Sequence, residues 1–371
     1  MDLLKARPKL KKAYPVVYKD GSVYIGGFGE ITEYEDPSGA IEYMLKKMDG
    51  INTVEKIIRE VSETYSELSP SDVMEAIDEI SKERFIEDLN LTGSKILSKY
   101  ELERYHRNIN FFSSYATLSE NKYISQKKLI DSKIGIIGLG GLGSHIIYDL
   151  AGLGIGEIKA VEFDVVDISN LNRQILYNFD DIGKSKASIA KQRIYEFNPQ
   201  IKFTVEEKKI NSSEDVVESF RGFDCLILVA DRPKIKLARW VNEAIVKLNI
   251  PLFCAGLEAQ RALQYTIIPK ISGCIDCWRN TIQKEHPISH LILEERTRLN
   301  LVGDNTAIAP LVSVATGIIC SEVTKYITGI GELTTVGQLK SIDMNTMTTK
   351  IAEHWHIDPN CITCRGGNII E

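Results

Sequence analysis

Ile134-Gly135-Ile136-Ile137-Gly138-Leu139-Gly140-Gly141-Leu142-Gly143 is the stretch on which the fold turns. The apolar run 133–138 reads as a buried strand, and Gly138, Gly140 and Gly143 complete G-x-G-x-x-G at its exit, with Gly141 in the same loop. Missing side chains let the backbone turn tightly and approach phosphate oxygens, and the N-terminus of the helix predicted at 142–153 favours their negative charge. A second strand, 158–163, carries Glu162 near its end, where an acid can accept hydrogen bonds from ribose hydroxyls. Alternation continues downstream: helix 185–197, strands 201–206 and 225–230, helix 235–248, strand 251–255 and helix 307–327. This is the pattern of a doubly wound α/β domain. The glycine loop alone does not separate a dinucleotide such as NAD from ATP.

The next segment separates them. Asp164-Val165-Val166-Asp167-Ile168-Ser169-Asn170-Leu171-Asn172-Arg173-Gln174 is followed by Asp181-Ile182-Gly183-Lys184-Ser185-Lys186-Ala187. Both stretches resemble the signatures of the ThiF/MoeB/HesA superfamily, the adenylyltransferases related to ubiquitin-activating enzymes, and simple NAD oxidoreductases lack them. The resemblance implies a Rossmann-like adenylation domain that uses ATP. It also places Glu162, Asp164, Asn170, Arg173, Gln174 and Lys186, with the glycine loop, around the nucleotide. Adenylation sends a carboxylate against an anionic α-phosphate, so cations must offset the accumulating charge. Arg173 can fork two phosphate oxygens and Lys186 supplies a point charge. Asp231 ends the predicted strand 225–230 and faces the ligand crevice; by the resemblance it holds Mg²⁺. Upstream, Arg104-Tyr105-His106-Arg107-Asn108 is similar to the family's opening motif, in which an arginine reaches a neighbouring subunit's ATP site. Arg107 is preferred over Arg104 for that role, and the resemblance implies a homodimer.

Cys274-Ile275-Asp276-Cys277 and Cys361-Ile362-Thr363-Cys364 form two C-x-x-C pairs. Together they can complete a closed Cys₄ shell, which predicts a structural zinc that ties a distant segment to the core. The sequence has seven cysteines, an odd number, and nothing resembling a secretion signal, so a disulfide framework is not expected. Cys225, Cys254 and Cys320 read as buried inert thiols. The span 278–319 has no cysteine, where related ubiquitin activators place a working one, so a thioester step is not expected.

Residues 1–95 read as a small separate domain and 96–371 as the adenylation domain. Strands 16–18 and 23–25 flank the turn signal Asp20-Gly21. Three helices follow (40–48, one capped by Thr53, one by Ser69 or Ser71), and 85–88 returns as a strand. This winged-helix pattern usually suggests DNA, but Asp72, Glu75, Asp78 and Glu79 on its third helix oppose a phosphate backbone. Asp49-Gly50 to Val54 and Arg84 to Asp88 instead resemble PqqD-like peptide-recognition domains, in which a peptide adds to the sheet edge. With 371 residues, a net charge of −6 and a sequence pI of about 5.7, the chain is not a general nucleic-acid binder. The basic arm (Lys5, Arg7, Lys9, Lys11, Lys12) reads as a solvated tail. No run reaches the roughly 18 apolar residues a membrane span needs, so a cytoplasmic location is expected.

The combination resembles the MccB-like subgroup, which modifies short ribosomal peptides. It implies carboxyl activation of a peptide, and in that subgroup a second ATP gives an N–P bond. Two alternatives stay open: activation of a Gly-Gly sulfur carrier, and a non-catalytic scaffold for a leader peptide. The polar stretch 282–306, with Glu294, Glu295, Arg296 and Arg298, reads equally as a loop over the substrate or as a surface helix.

Overall fold

The computed structural model describes residues 2–27, 29–233, 235–299 and 306–364, with only the backbone at 296 and 297. The chain divides into two compact units between Lys127 and Lys128.

The first unit contains β1 (Pro8–Leu10), β2 (Val16–Lys19), β3 (Ser22–Gly27), β4 (Glu30–Glu35), α1 (Ala40–Lys47), α2 (Val54–Thr64), α3 (Pro70–Lys82), β5 (Ile86–Asp88), α4 (Lys99–Arg104) and α5 (His106–Ser113). Lys19 pairs with Ser22, so Asp20 and Gly21 make a two-residue hairpin turn; both have positive φ, 53° and 77°, as that turn requires. The Thr53 side chain caps α2, and Ser69 caps α3 in a reciprocal capping box with Asp72. One face of each helix meets β3 in a core built on Val23, Ile25, Met44, Ile57, Val61, Ile77 and Ile80. The strands form two sheets, β2-β3-β4 and β1-β5, where sequence indicated a single hairpin and a closing strand.

Two expectations are corrected here. The basic arm is not a solvated tail: β1 pairs antiparallel with β5, Ala6 is buried, and Lys11 is only 5% exposed with its Nζ donating to Ala116 O at 2.6 Å. Pairing to β5 satisfies the backbone of the arm, which a sequence window centred on its charges does not reveal. The unit boundary also falls later than residue 95. Leu118 joins the first unit's core and its N–H donates to Ser81 Oγ at 3.0 Å, while Lys122 pairs with Glu87 at 2.7 Å. These long-range ties draw 96–127, expected in the adenylation domain, into the first unit.

In the second unit, an eight-stranded sheet runs β13-β12-β11-β10-β9-β6-β7-β8. α6 (Lys122–Asp131), which begins in the first unit, leads into β6 (Lys133–Ile137), α7 (Gly141–Leu153), β7 (Glu157–Val161), α8 (Lys186–Phe197), β8 (Lys202–Glu206), α9 (Ser213–Phe220), β9 (Cys225–Leu228), α10 (Lys236–Leu248) and β10 (Leu252–Glu258). These five strands are parallel, and β6, first in sequence, lies between β7 and β9. The order reverses there, which opens a crevice at the carboxyl end of β6. In the central strands β6 and β9 the runs 134–137 and Cys225–Leu228 are buried on both faces, as parallel strands covered by helices must be, whereas the edge strand β8 is partly exposed. β11 (Arg261–Ile267), β12 (Gln338–Asp343) and β13 (Thr349–His354) extend the sheet antiparallel. α11 (Ile275–Glu285), α12 (Pro287–Arg298) and α13 (Ala309–Thr328) complete the unit. The stretch 287–298 is thus helical; residues 300–305 and the Arg296 side chain lie outside the described residues. Among the described residues no helix is long and apolar enough to cross a membrane.

Candidate active site and metal centre

The glycine loop leaves β6 at the switch point. Gly138 has φ +98°, and a Cβ there would lie 2.9 Å from Ala230 Cβ. A Cβ on Gly143 would lie 2.0 Å from Gly138 O, so α7 can start against the loop only without a side chain. The first main-chain bond of α7 runs from Ser144 N to Gly140 O, which leaves the N–H groups of Gly141, Leu142 and Gly143 for an anion.

Leu139 is held at both main-chain polar groups. Its N–H donates to Glu162 Oε2 at 2.7 Å, and its carbonyl accepts from Tyr177 Oη at 2.9 Å. Glu162 also accepts from Phe163 N at 2.7 Å and Asp164 N at 2.8 Å, and is buried. The carboxylate expected to meet ribose therefore braces the loop, one residue beyond the end of β7. Burial, with Glu162 and Asp164 nearby, raises the Tyr177 phenol, so it is a neutral donor.

Arg173 lies against Gly141: a Cβ there would come 3.4 Å from Arg173 Nε. Its Nη1 donates to Ser169 O at 3.0 Å and Asn172 Oδ1 at 2.8 Å. Asn170 Oδ1 accepts from Asp167 N at 3.1 Å, closing the turn that presents Arg173. Gln174 is buried with Oε1 unpartnered, and its Nε2 is 3.9 Å from where a Gly140 Cβ would be. Lys186 opens α8; it is 4% exposed and its Nζ lies 3.6 Å from Asp164 Oδ2. So Gly138, Gly140, Gly141, Gly143, Glu162 and Gln174 meet at the loop, Arg173 joins them, and Asp164 links Glu162 to Lys186. Asp231 is exposed three residues after β9, which ends earlier than expected, and next to Ala230 against Gly138. No hydrogen bond or ion pair engages it among the described residues.

Arg104 and Arg107 are both exposed in the first unit. The Arg104 guanidinium lies 6.0 Å over the Tyr100 ring. Tyr177 was missed from the sequence, as was His145, whose Nε2 lies 3.0 Å from Arg173 O. Neither has a local signal: each contact joins residues far apart in the chain.

All four pair cysteines are buried, with their sulfurs within 4.8 Å of one another. Cys274–Cys277, Cys274–Cys361 and Cys277–Cys364 are 3.7, 3.6 and 3.4 Å apart. A tetrahedral shell with Zn–S of about 2.3 Å needs S···S of about 3.75 Å, so the donor set fits zinc. Cys274 donating to Cys277 holds Cys277 well below the usual thiol range and raises Cys274. Around the sulfurs, Asp276 accepts from Thr363 Oγ1 at 2.6 Å and Asn242 Nδ2 at 3.4 Å. Asn242 Oδ1 in turn accepts from Ile275 N at 3.1 Å. Trp278 stacks on Trp355, ring centroids 5.3 Å apart. Cys225, Cys254 and Cys320 are pushed up by burial, which keeps them protonated.

A doubly wound sheet with a glycine loop at its switch point, backed by an arginine and a buried lysine, defines a nucleotide-binding protein of the class to which ThiF and MoeB belong. A profile of the ThiF family matches residues 105–363, and the chain belongs to that family. The sulfur carrier protein ThiS adenylyltransferase of Escherichia coli is 34% identical over 181 residues, covering 47% of this chain and 69% of that protein. The NEDD8-activating enzyme E1 catalytic subunit of Schizosaccharomyces pombe is 34% identical over 163 residues, 43% of this chain. The match spans about a third of the latter's length, 36%. Among solved structures, E. coli MccB with ATP superposes with a TM-score of 0.74 at 25% identity, over 96% of this chain and 99% of that one.

Proposed function

We propose that the chain is an ATP-dependent adenylyltransferase that activates the C-terminal carboxylate of a ribosomally made peptide, with the first unit recognising the peptide. The observation that carries this reading is Arg173 laid against Gly141 at the N-terminus of α7, with Lys186 buried beside Asp164. In this reaction the peptide carboxylate oxygen attacks the α-phosphorus of ATP. The P–O bond to pyrophosphate breaks and an acyl-adenylate forms. The N–H groups at the start of α7 bind phosphate oxygens, Arg173 and Lys186 offset the charge that builds on them, and Asn170 keeps the Arg173 turn in shape. Asp231 is the residue to hold Mg²⁺, whose charge, when bound, offsets that of the phosphates. Cys274, Cys277, Cys361 and Cys364 hold a structural zinc that pins the segment after β13 to α11. Arg107, exposed and without a partner among the described residues, is the cation available to a second subunit's site in a homodimer.

The peptide part rests on the first unit. Among the described residues β4 is an edge of the sheet β2-β3-β4, to which an extended peptide can add. E. coli MccB, matched over nearly the whole chain, has been solved with MccA. An N–P bond made with a second ATP is part of the proposal for a peptide ending in Asn. Activation of a Gly-Gly carrier is the second reading, supported by the identity to the ThiS adenylyltransferase.

ATP–pyrophosphate exchange with synthetic peptides, and Asp231→Ala as control, tests it. Exchange that needs an Asn-ended peptide supports the first reading, and exchange that needs a Gly-Gly end supports the second. Exchange that ignores every peptide would remove the peptide role.

A further inference from the structure

We infer that His145 is a positioning residue for Arg173 and sets the affinity of the site for MgATP; the inference rests on the reading of Arg173 as a phosphate-binding cation. His145 is 8% exposed on α7, and its Nε2 lies 3.0 Å from the main-chain oxygen of Arg173. A carbonyl oxygen can only accept, so Nε2 carries the proton and donates it. The imidazole therefore fixes the backbone of Arg173, not its side chain.

The same helix receives the other end of the residue. Gly141 and His145 are four apart on α7 and so lie one above the other on one face. At Gly141, in the first turn, the missing side chain makes room for the guanidinium stem: a Cβ would stand 3.4 Å from Nε and 3.6 Å from Cδ. One turn later His145 grips the carbonyl. Arg173 is thus laid along the first turn of α7 by two contacts, with its charge at the end where the free N–H groups converge. Its neighbours support this pose but do not replace it. Nη1 is bonded to Ser169 O and Asn172 Oδ1, and both acceptors sit on the same exposed turn as Arg173 itself. Gln174 N donates to Asn170 O within that turn too. Among the described hydrogen bonds of Arg173, the one to His145 ties this turn to a buried helix.

Side-chain geometry supplies the test. In reach, a glutamine amide nitrogen stands in for Nε2 and an asparagine amide nitrogen for Nδ1. MgATP binding to the full-length, zinc-loaded protein is measured by titration calorimetry for the wild type and for His145→Leu, His145→Asn, His145→Gln and Arg173→Ala, and for His145→Leu combined with Arg173→Ala. Leu and Asn are expected to weaken MgATP about tenfold, with Gln restoring it to within about twofold. Because His145 acts through Arg173, Leu at 145 should add little once Arg173 is already Ala. A full tenfold loss from Leu in the Arg173→Ala background would make His145 merely structural and overturn the inference. So would unchanged affinity in His145→Asn while Arg173→Ala is impaired, a comparison that stands even where the Leu variant folds poorly. Unchanged affinity in Arg173→Ala itself would remove the phosphate-site reading as well.

Discussion

Glu162 accepts the main-chain N–H of Leu139 at 2.7 Å, so the acid that follows the second strand holds the glycine loop in the shape that a phosphate needs. Its two oxygens serve three N–H donors in a buried place. Glu162→Gln replaces one acceptor oxygen by an amide group that faces N–H donors. The change is expected to cost about 1–3 kcal/mol in urea unfolding and to weaken MgATP in the same variant. A loss of affinity with stability intact would mean that the carboxylate serves the nucleotide directly and not the loop.

Lys186 is a buried cation whose ion-pair partner Asp164 is exposed, and its charge also helps lower the exposed Asp167 carboxyl. Lys186→Met keeps much of the length and removes the charge. Pyrophosphate exchange is expected to fall about 10²–10³-fold, with the melting temperature held or raised, since a buried charge is removed. A variant that keeps its exchange rate would take Lys186 out of the reaction.

The four cysteine sulfurs already stand at the spacing of a metal shell. Elemental analysis of purified protein should find about one zinc per chain, and Cys361→Ser should lose most of it. Because the shell joins α11 to a segment after β13, that loss should lower the melting temperature by several degrees. Protein purified without metal but with the same melting temperature would argue against a structural zinc.

Lys11 makes stability depend on pH. Burial lowers its amine from 10.5 to about 8, with Glu87 acting in the opposite sense and Lys122 adding to the fall. A base lowered on folding is disfavoured in its charged form. As pH falls from above 10.5 toward 8, the unfolded chain takes up the proton first, and stability is lost across that window and is flat below it. The stability of Lys11→Met relative to wild type should therefore be greater at pH 7 than at pH 10, by about 1–3 kcal/mol. Urea curves at both values decide it; a difference that does not change with pH would show that the amine is not buried in solution.

Short-range features were legible in the sequence. The phosphate loop, the strands before it and the helix after it depend on local apolar runs and on glycines whose spacing has one use. The two C-x-x-C pairs announced four thiols that could share a metal, and the structure brings those four sulfurs together. Thr53 and Ser69 were readable as caps because their side chains bond to N–H groups three residues on. What escaped depends on partners far away in the chain. β1 is a strand only because β5 is beside it, and Lys11 reads as a surface charge until Ala116 appears next to it. Three strands at one end of the sheet escaped as well: β11 alternates in burial but buries Gln264 and Thr266 beside Ala262, and β12 and β13 show no clean alternation. For Glu162, position gave an acid in the crevice, but not the three backbone N–H groups it accepts.

Cys274 and Cys277 lie 87 residues before their partners Cys361 and Cys364. On a ribosome that interval is a waiting time. The first two thiols emerge and stand as half of a binding site while α13 and the last strands of the sheet are still being made. During this interval they are open to oxidation, or to capture of a metal that four ligands would later reject. On the proposed zinc reading, the supply of reducing power and of zinc during synthesis bears on how much new protein matures correctly.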